Sequence, residues 1–231
     1  MFFDPIYLLF VAPGMIFALI ATYKVKSTFA RYSKISAGSG LTGAQAARQM
    51  LSKNGVTNVT IERADGFLSD HYDPTSRTLR LSSGVYDSPS LSAIGVACHE
   101  AGHALQHASA YMWLGLRSAL VPATQFGSMG SYIFFLLGMF MHNPKLYLIG
   151  IILFSITVVF SIITLPVERD ASARAKRLMV MSGIVTYQEQ EDAARVLNAA
   201  FLTYVASAVT ALLTLLYYLF RSGLLGGRRN D

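Results

Sequence analysis

Within the apolar stretch Leu91 to Leu105, the run His99-Glu100-Ala101-Gly102-His103 sets two imidazoles four residues apart, with a carboxylate beside the first. On a helix, positions i and i+4 lie one turn apart on one face, so His99 and His103 would offer nitrogens to a single metal ion while Glu100 stands beside it as a base. The chemistry that follows is metal-assisted hydrolysis, in which the ion acidifies water and Glu100 accepts the proton. A helix with two polar stripe residues and an ion pair would carry the same five letters, so the surroundings decide. Cys98 directly precedes His99 but points about 100° away around the helix, which makes it a small core residue and not a ligand. His107 follows His99 by eight residues, two turns and roughly 12 Å along an unbroken helix, too far to share the ion.

These residues sit in a chain with 53% hydrophobic and only 14% charged residues and a mean hydropathy of +0.43. That is too apolar for an ordinary soluble domain of 231 residues. Four runs approach the roughly 20 apolar residues that a membrane-crossing helix needs: Ile6 to Tyr23, Ser118 to His142, Leu146 to Val167 and Val196 to Phe220. Met1-Phe2-Phe3-Asp4 has no basic residue ahead of the first run, so that run is expected to stay attached as a span. Lys24, Lys26, Arg31 and Lys34 crowd the exit of the first span, and Arg169, Arg174, Lys176 and Arg177 that of the third, whereas the link between spans two and three offers only Lys145. By the positive-inside rule both large loops face the cytoplasm, although Arg221, Arg228 and Arg229 at the C-terminus pull the other way. A single cysteine indicates no disulfide and no oxidising compartment. The formal charge of +6 suits anionic lipid headgroups; no nucleic-acid recognition module is visible.

The polar section from 24 to 115 is large enough for a small folded unit. Thr42 caps a helix to about Lys53, Asn54-Gly55 ends it, Val56 to Glu62 alternates like a strand, and Asp73-Pro74-Thr75-Ser76 reads as a turn. Arg77 to Ser82 alternates as a second strand, either open at its edge to an extended peptide or packed within a hairpin. Hydrolytic zinc takes a third protein ligand and leaves one position open. Glu168, just past the third span and an even number of spans from the histidines, meets that need; Asp170 is its neighbour, and two residues apart on a helix they cannot both face the ion. Asp170 would then orient a neighbour or pair with Arg174. For a donor to the developing oxyanion the candidates are His71, flanked by Asp70 and Asp73, and Tyr72.

Asp70-His71-Tyr72-Asp73-Pro74, Leu79 to Tyr86, His99 to Gln106 and Leu165-Pro166-Val167-Glu168-Arg169-Asp170-Ala171-Ser172 together resemble the YugP-like neutral zinc metallopeptidases of bacterial membranes. That family is similar, more distantly, to the HtpX and CAAX prenyl proteases, whose third ligand is a Glu beyond the transmembrane pair. The resemblance implies Glu168 here. Those relatives carry an Asp four residues after the ligand Glu, where this chain has Ser172.

The expected architecture is a mainly α, polytopic membrane helical bundle of about four spans, with a cytoplasmic zincin-like catalytic unit that contains a small β element. Its sections are a first span (1–23), a catalytic section (24–115), spans two and three (116–165), a cytoplasmic helix with the third ligand (166–195), a fourth span (196–220) and a basic tail (221–231). The expected activity is zinc-dependent endopeptidase action, with Zn²⁺ on His99, His103 and Glu168 and with Glu100 as base. The expected substrate is a protein or peptide, and the setting is the inner membrane of a prokaryotic cell with the active site facing the cytoplasm. A homo-oligomer or a membrane partner protein stays open. The alternative is a metal-binding membrane scaffold or chaperone partner without catalysis, which would not require Glu100. A transporter would need an ion relay, and spans two to four hold no ionisable residue apart from terminal ones.

Overall fold

The computed structural model describes residues 5–66 and 69–224. The chain runs α1 (Pro5–Tyr32), α2 (Gly43–Lys53), β1 (Thr60–Ala64), β2 (His71–Asp73), β3 (Thr78–Ser82), α3 (Ser83–Tyr86), α4 (Leu91–Ala108), α5 (Met112–Phe140), α6 (Pro144–Met181) and α7 (Tyr187–Arg221). It is mainly helical with one small three-stranded sheet, and four of the helices, α1, α5, α6 and α7, are long and apolar enough to cross a membrane. α1, α6 and α7 each contain one apolar run and continue past it, whereas α5 starts before Ser118 and ends at Phe140, two residues short of the second run's end; α6 passes through Pro166 without a break and carries both the third run and the Glu168 segment. Hydropathy marks where the surroundings change from lipid to water, and the backbone ladder need not stop there. Arg228 and Arg229 lie outside the described residues, as do Met1 to Asp4.

The contacts divide the chain into two units. One comprises Met1–Ile20, Leu116–Leu165 and Thr203–Asp231. Its apolar side chains point largely outward, with Leu9 at 74% and Phe126 at 80% exposure, as suits a surface solvated by lipid tails. Inside it, Phe135, Tyr147, Tyr217 and Tyr218 pack as an aromatic cluster.

The other unit comprises Ala21–Gly115 and Pro166–Leu202. Its core includes Met50, Leu79, Leu81, Ile94, Met179 and Ile184, all fully buried. α2 opens on a capping box in which the Thr42 side chain accepts from Gln45 N and the Gln45 side chain accepts from Thr42 N. It ends at Asn54, and Gly55 follows at φ +76°, a left-handed position that favours glycine. In the sheet β3 lies between parallel β1 and antiparallel β2. Over Thr78 to Arg80 the run is therefore paired on both sides, whereas Leu81 and Ser82 are paired with β1 alone.

α4 lies deep in this unit because three of its contacts tolerate no side chain or only a small one. A Cβ on Gly102 would stand 2.6 Å from Ala171 O of α6, and one on Gly95 would stand 3.5 Å from Ala193 Cβ of α7. On the side of α2, Ala97 Cβ lies 3.2 Å from where a Cβ on Gly43 would be. Ser90 caps the helix, its hydroxyl accepting from Ala93 N.

Candidate metal centre

One turn of α4 and one turn of α6 meet at three donors. His99, His103 and Glu168 lie with their ligand atoms all within 4.8 Å of one another. His99 Nε2 is 3.2 Å and His103 Nε2 3.6 Å from the same carboxylate oxygen, Glu168 Oε2. A tetrahedral zinc with bonds of about 2.0–2.2 Å holds its ligand atoms roughly 3.3–3.6 Å apart, so these separations fit the ion. Glu168 is 2% exposed and His103 8%. A buried carboxylate placed against two imidazoles needs a positive charge among them.

The outer nitrogens decide which lone pairs face inward. Gln106, fully buried, uses its amide nitrogen on Val167 O and on Asp170 Oδ2, both at 2.8 Å, which turns its amide oxygen to His103 Nδ1 at 3.0 Å. That oxygen accepts only, so Nδ1 carries the hydrogen, and in the neutral ring Nε2 presents its lone pair toward Glu168. His99 can take the matching arrangement: Ser172 Oγ, 3.1 Å from its Nδ1, accepts as readily as it donates, and with the hydrogen on Nδ1 the Nε2 lone pair also faces the carboxylate. Two lone pairs directed at an acceptor-only carboxylate are the donor set of a cation site. Burial alone would lower the His103 pKa, yet the Glu168 and Glu100 charges and the Gln106 hydrogen bond outweigh it and raise it. Burial likewise works against the Glu168 carboxylate, while His103 and His99 together hold its pKa below the ordinary carboxylate range.

Glu100, at 9% exposure, stands next to His99 on the same helix. Asp170 stands behind the ligands: its Oδ2 takes Gln106 Nε2 and, at 2.6 Å, Arg174 Nε, the i+4 pairing that the spacing predicts. Arg174 also lies over the Tyr111 ring and donates to Ser109 Oγ, so α6 grips the end of α4 through this one side chain. Cys98 is fully buried, its thiol pushed up to about 12 by desolvation, as befits a core residue.

His71 opens β2. It is exposed, with Nδ1 2.8 Å from Ser69 O, and its flanking carboxylates are engaged elsewhere. Asp70 accepts from Ser82 N and Oγ. Asp73, held down to about 2 by Ser76 and Thr75, also accepts from Arg80. The aspartates therefore do not clasp an imidazolium. Tyr72 instead reaches α4, its hydroxyl 2.9 Å from His107 Nδ1. Gln106 and Ser172 are the two residues that sequence reasoning missed as orienting groups. Their signal was helical spacing, since each is a polar residue one turn beyond a ligand, His103 and Glu168 respectively.

A family model described as "Putative neutral zinc metallopeptidase" matches residues 7–223 of the chain. A curated relative, "Putative membrane protease YugP" of Bacillus subtilis (strain 168), is 48% identical over 213 residues, covering 92% of this chain and 94% of the relative. No solved structure matches significantly.

Proposed function

The chain belongs to the neutral zinc metallopeptidase family, and from that membership we propose that it is a membrane-bound endopeptidase whose zinc is held by His99, His103 and Glu168. The observation that carries this reading is the convergence of both Nε2 atoms on one buried carboxylate oxygen, with each Nδ1 tied from behind. Zinc bound there supplies Lewis acidity toward water and the scissile carbonyl. Glu100 takes the proton from the attacking water and returns it to the leaving amine. Gln106 keeps the His103 ring in the ligating tautomer, Ser172 holds the His99 ring in orientation, and Asp170 holds the Gln106 amide in place. Of the two candidate donors to the oxyanion, Tyr72 is favoured over His71, because its phenol lies against the metal-bearing helix. The substrate is a protein or peptide, and the catalytic unit faces the cytoplasm from the inner membrane of a bacterium.

The test uses detergent-purified full-length protein and an unstructured protein substrate such as casein. One zinc per chain and measurable hydrolysis are expected, with Glu100→Gln keeping the zinc and losing about 10²–10⁴-fold in turnover. Turnover by that variant at the wild-type rate would defeat the assignment of the base. A zinc-loaded wild type that cleaves nothing while a bound partner protein co-purifies with it would favour a scaffold.

A further inference from the structure

Away from the metal, α1 and α7 build a second feature from residues of regular helical spacing. Lys24, Thr28 and Arg31 follow one another at i, i+4 and i+7 on α1; Arg195, Asn198 and Leu202 do so at i, i+3 and i+7 on α7. Together they line a cavity of about 470 Å³. It brings together three cations, and among the described residues no carboxylate lines it. The nearest recorded neutralisation is weak: Asp192 Oδ1 stands 3.7 Å from Arg195 Nε, with the arginine side chain 61% exposed. Arg31 lies over the Tyr32 ring, which leaves the edge of its guanidinium free to donate. A further cation, Lys176 Nζ, is 3.4 Å from Asn198 Oδ1.

The position of this cavity along both helices gives its meaning. Lys24 is the first residue after the apolar run Ile6 to Tyr23, and Arg195 is the last before the run Val196 to Phe220, in whose first two turns Asn198, Ala199 and Leu202 stand. On both helices the cavity therefore begins where the hydrocarbon-facing sequence ends, the level at which headgroup phosphates lie. Its cations meet one charge sign, and Leu202 with Ala199 gives it an apolar wall beside them.

We propose that this groove is a binding site for the phosphate headgroup of an anionic phospholipid. Charge complementarity selects the ligand. A zwitterionic lipid brings its own ammonium into a site with three positive side chains, whereas a headgroup of net negative charge does not.

The full-length protein in detergent, titrated with dioleoylphosphatidylglycerol and followed by native mass spectrometry, tests this. One tightly held lipid is expected, with dioleoylphosphatidylcholine binding at least tenfold more weakly. A cation near an anionic headgroup contributes roughly fivefold, so Lys24→Gln/Arg31→Gln/Arg195→Gln should weaken phosphatidylglycerol binding by about 100-fold. The matched variant Lys26→Gln/Lys34→Gln/Arg48→Gln removes the same charge from exposed positions outside the groove and should lose less than tenfold. Zinc content, unchanged in both, reports that each variant has folded; Arg195→Gln alone, expected at roughly a fivefold loss, serves if the triple variant loses its zinc. Equal losses in the two triple variants would reduce the groove to diffuse attraction and overturn the proposal. So would equal affinity for the two lipids, or displacement of the lipid by millimolar inorganic phosphate.

Discussion

A metal-ligating imidazole has one nitrogen for the ion and one that fixes its tautomer, and here the second nitrogen is engaged in both rings, by Ser172 on His99 and by Gln106 on His103. Removing such a partner commonly weakens metal binding 10–100-fold. Gln106→Leu, close in size, is therefore expected to weaken zinc in a chelator competition by about that factor. It would also remove the two hydrogen bonds from the Gln106 amide to Val167 O and Asp170 Oδ2, at about 0.5–1.5 kcal/mol each in thermal or denaturant unfolding. Wild-type zinc affinity in this variant would relegate Gln106 to packing. The same geometry separates the two carboxylates of α6. Glu168→Ala is expected to lose zinc outright, whereas Asp170→Ala, which only frees Gln106 and Arg174, should retain it more weakly; the opposite result would exchange their roles. The histidine pair of the candidate site was legible in the sequence because i, i+4 spacing is local, whereas Glu168 comes from a different helix. What could not be read from the sequence is where the aspartates flanking His71 turn, because their hydrogen bonds go to Ser82, Ser76 and Arg80.

Two helices can bring ligands to one ion only if their backbones approach closely, and Gly102 is where α4 meets α6 without a side chain between them. A Cβ there would stand 2.6 Å from a backbone oxygen, and backbone yields only by moving the helix. Gly102→Val should thus force α6 away from the two histidines, costing about 1–3 kcal/mol through overpacking and lowering zinc content as well. Gly84→Ala, where nothing lies within 4 Å, should leave zinc unchanged. If Gly102→Val bound zinc normally, the close approach would not be what sets the ligand distance. The Thr42 cap, the Asn54-Gly55 stop and the turn at Asp73 to Ser76 were legible, since each depends on a few neighbouring residues. β1 proved less so: it spans Thr60–Ala64, beginning later than alternation from Val56 suggests, because its extent is set by its pairing with β3. The continuity of α6 and α7 past their apolar runs was likewise hidden, because propensity carries a helix across the boundary that hydropathy detects.

At the scale of the whole molecule, the metal site constrains the membrane topology. His99 and His103 precede the second apolar run and Glu168 follows the third, so one ion can join them only if the chain crosses twice between them and returns to the same side. By the positive-inside rule, the basic residues after spans one and three lead to the proposal that this side is the cytoplasm. Single cysteines test both statements, and the native Cys98 does not interfere, being fully buried with its thiol pushed up to about 12. Lys34→Cys and Arg177→Cys, both at exposed positions, should react with a membrane-impermeant maleimide only when it is given access to the cytoplasmic face. Lys145→Cys, at an exposed position in the first turn of α6, should react from the opposite face in intact cells. Its neighbour Asn143 is a poorer probe, since the Asn143 side chain caps the start of α6 through Lys145 N and Leu146 N. Labels at 34 and 177 on opposite faces would make a shared ion impossible and remove Glu168 from the ligand set. Labels that agree with each other but react from outside would keep the zinc site, move catalysis out of the cytoplasm, and mean that Arg221, Arg228 and Arg229 outweigh the cluster that follows the first span.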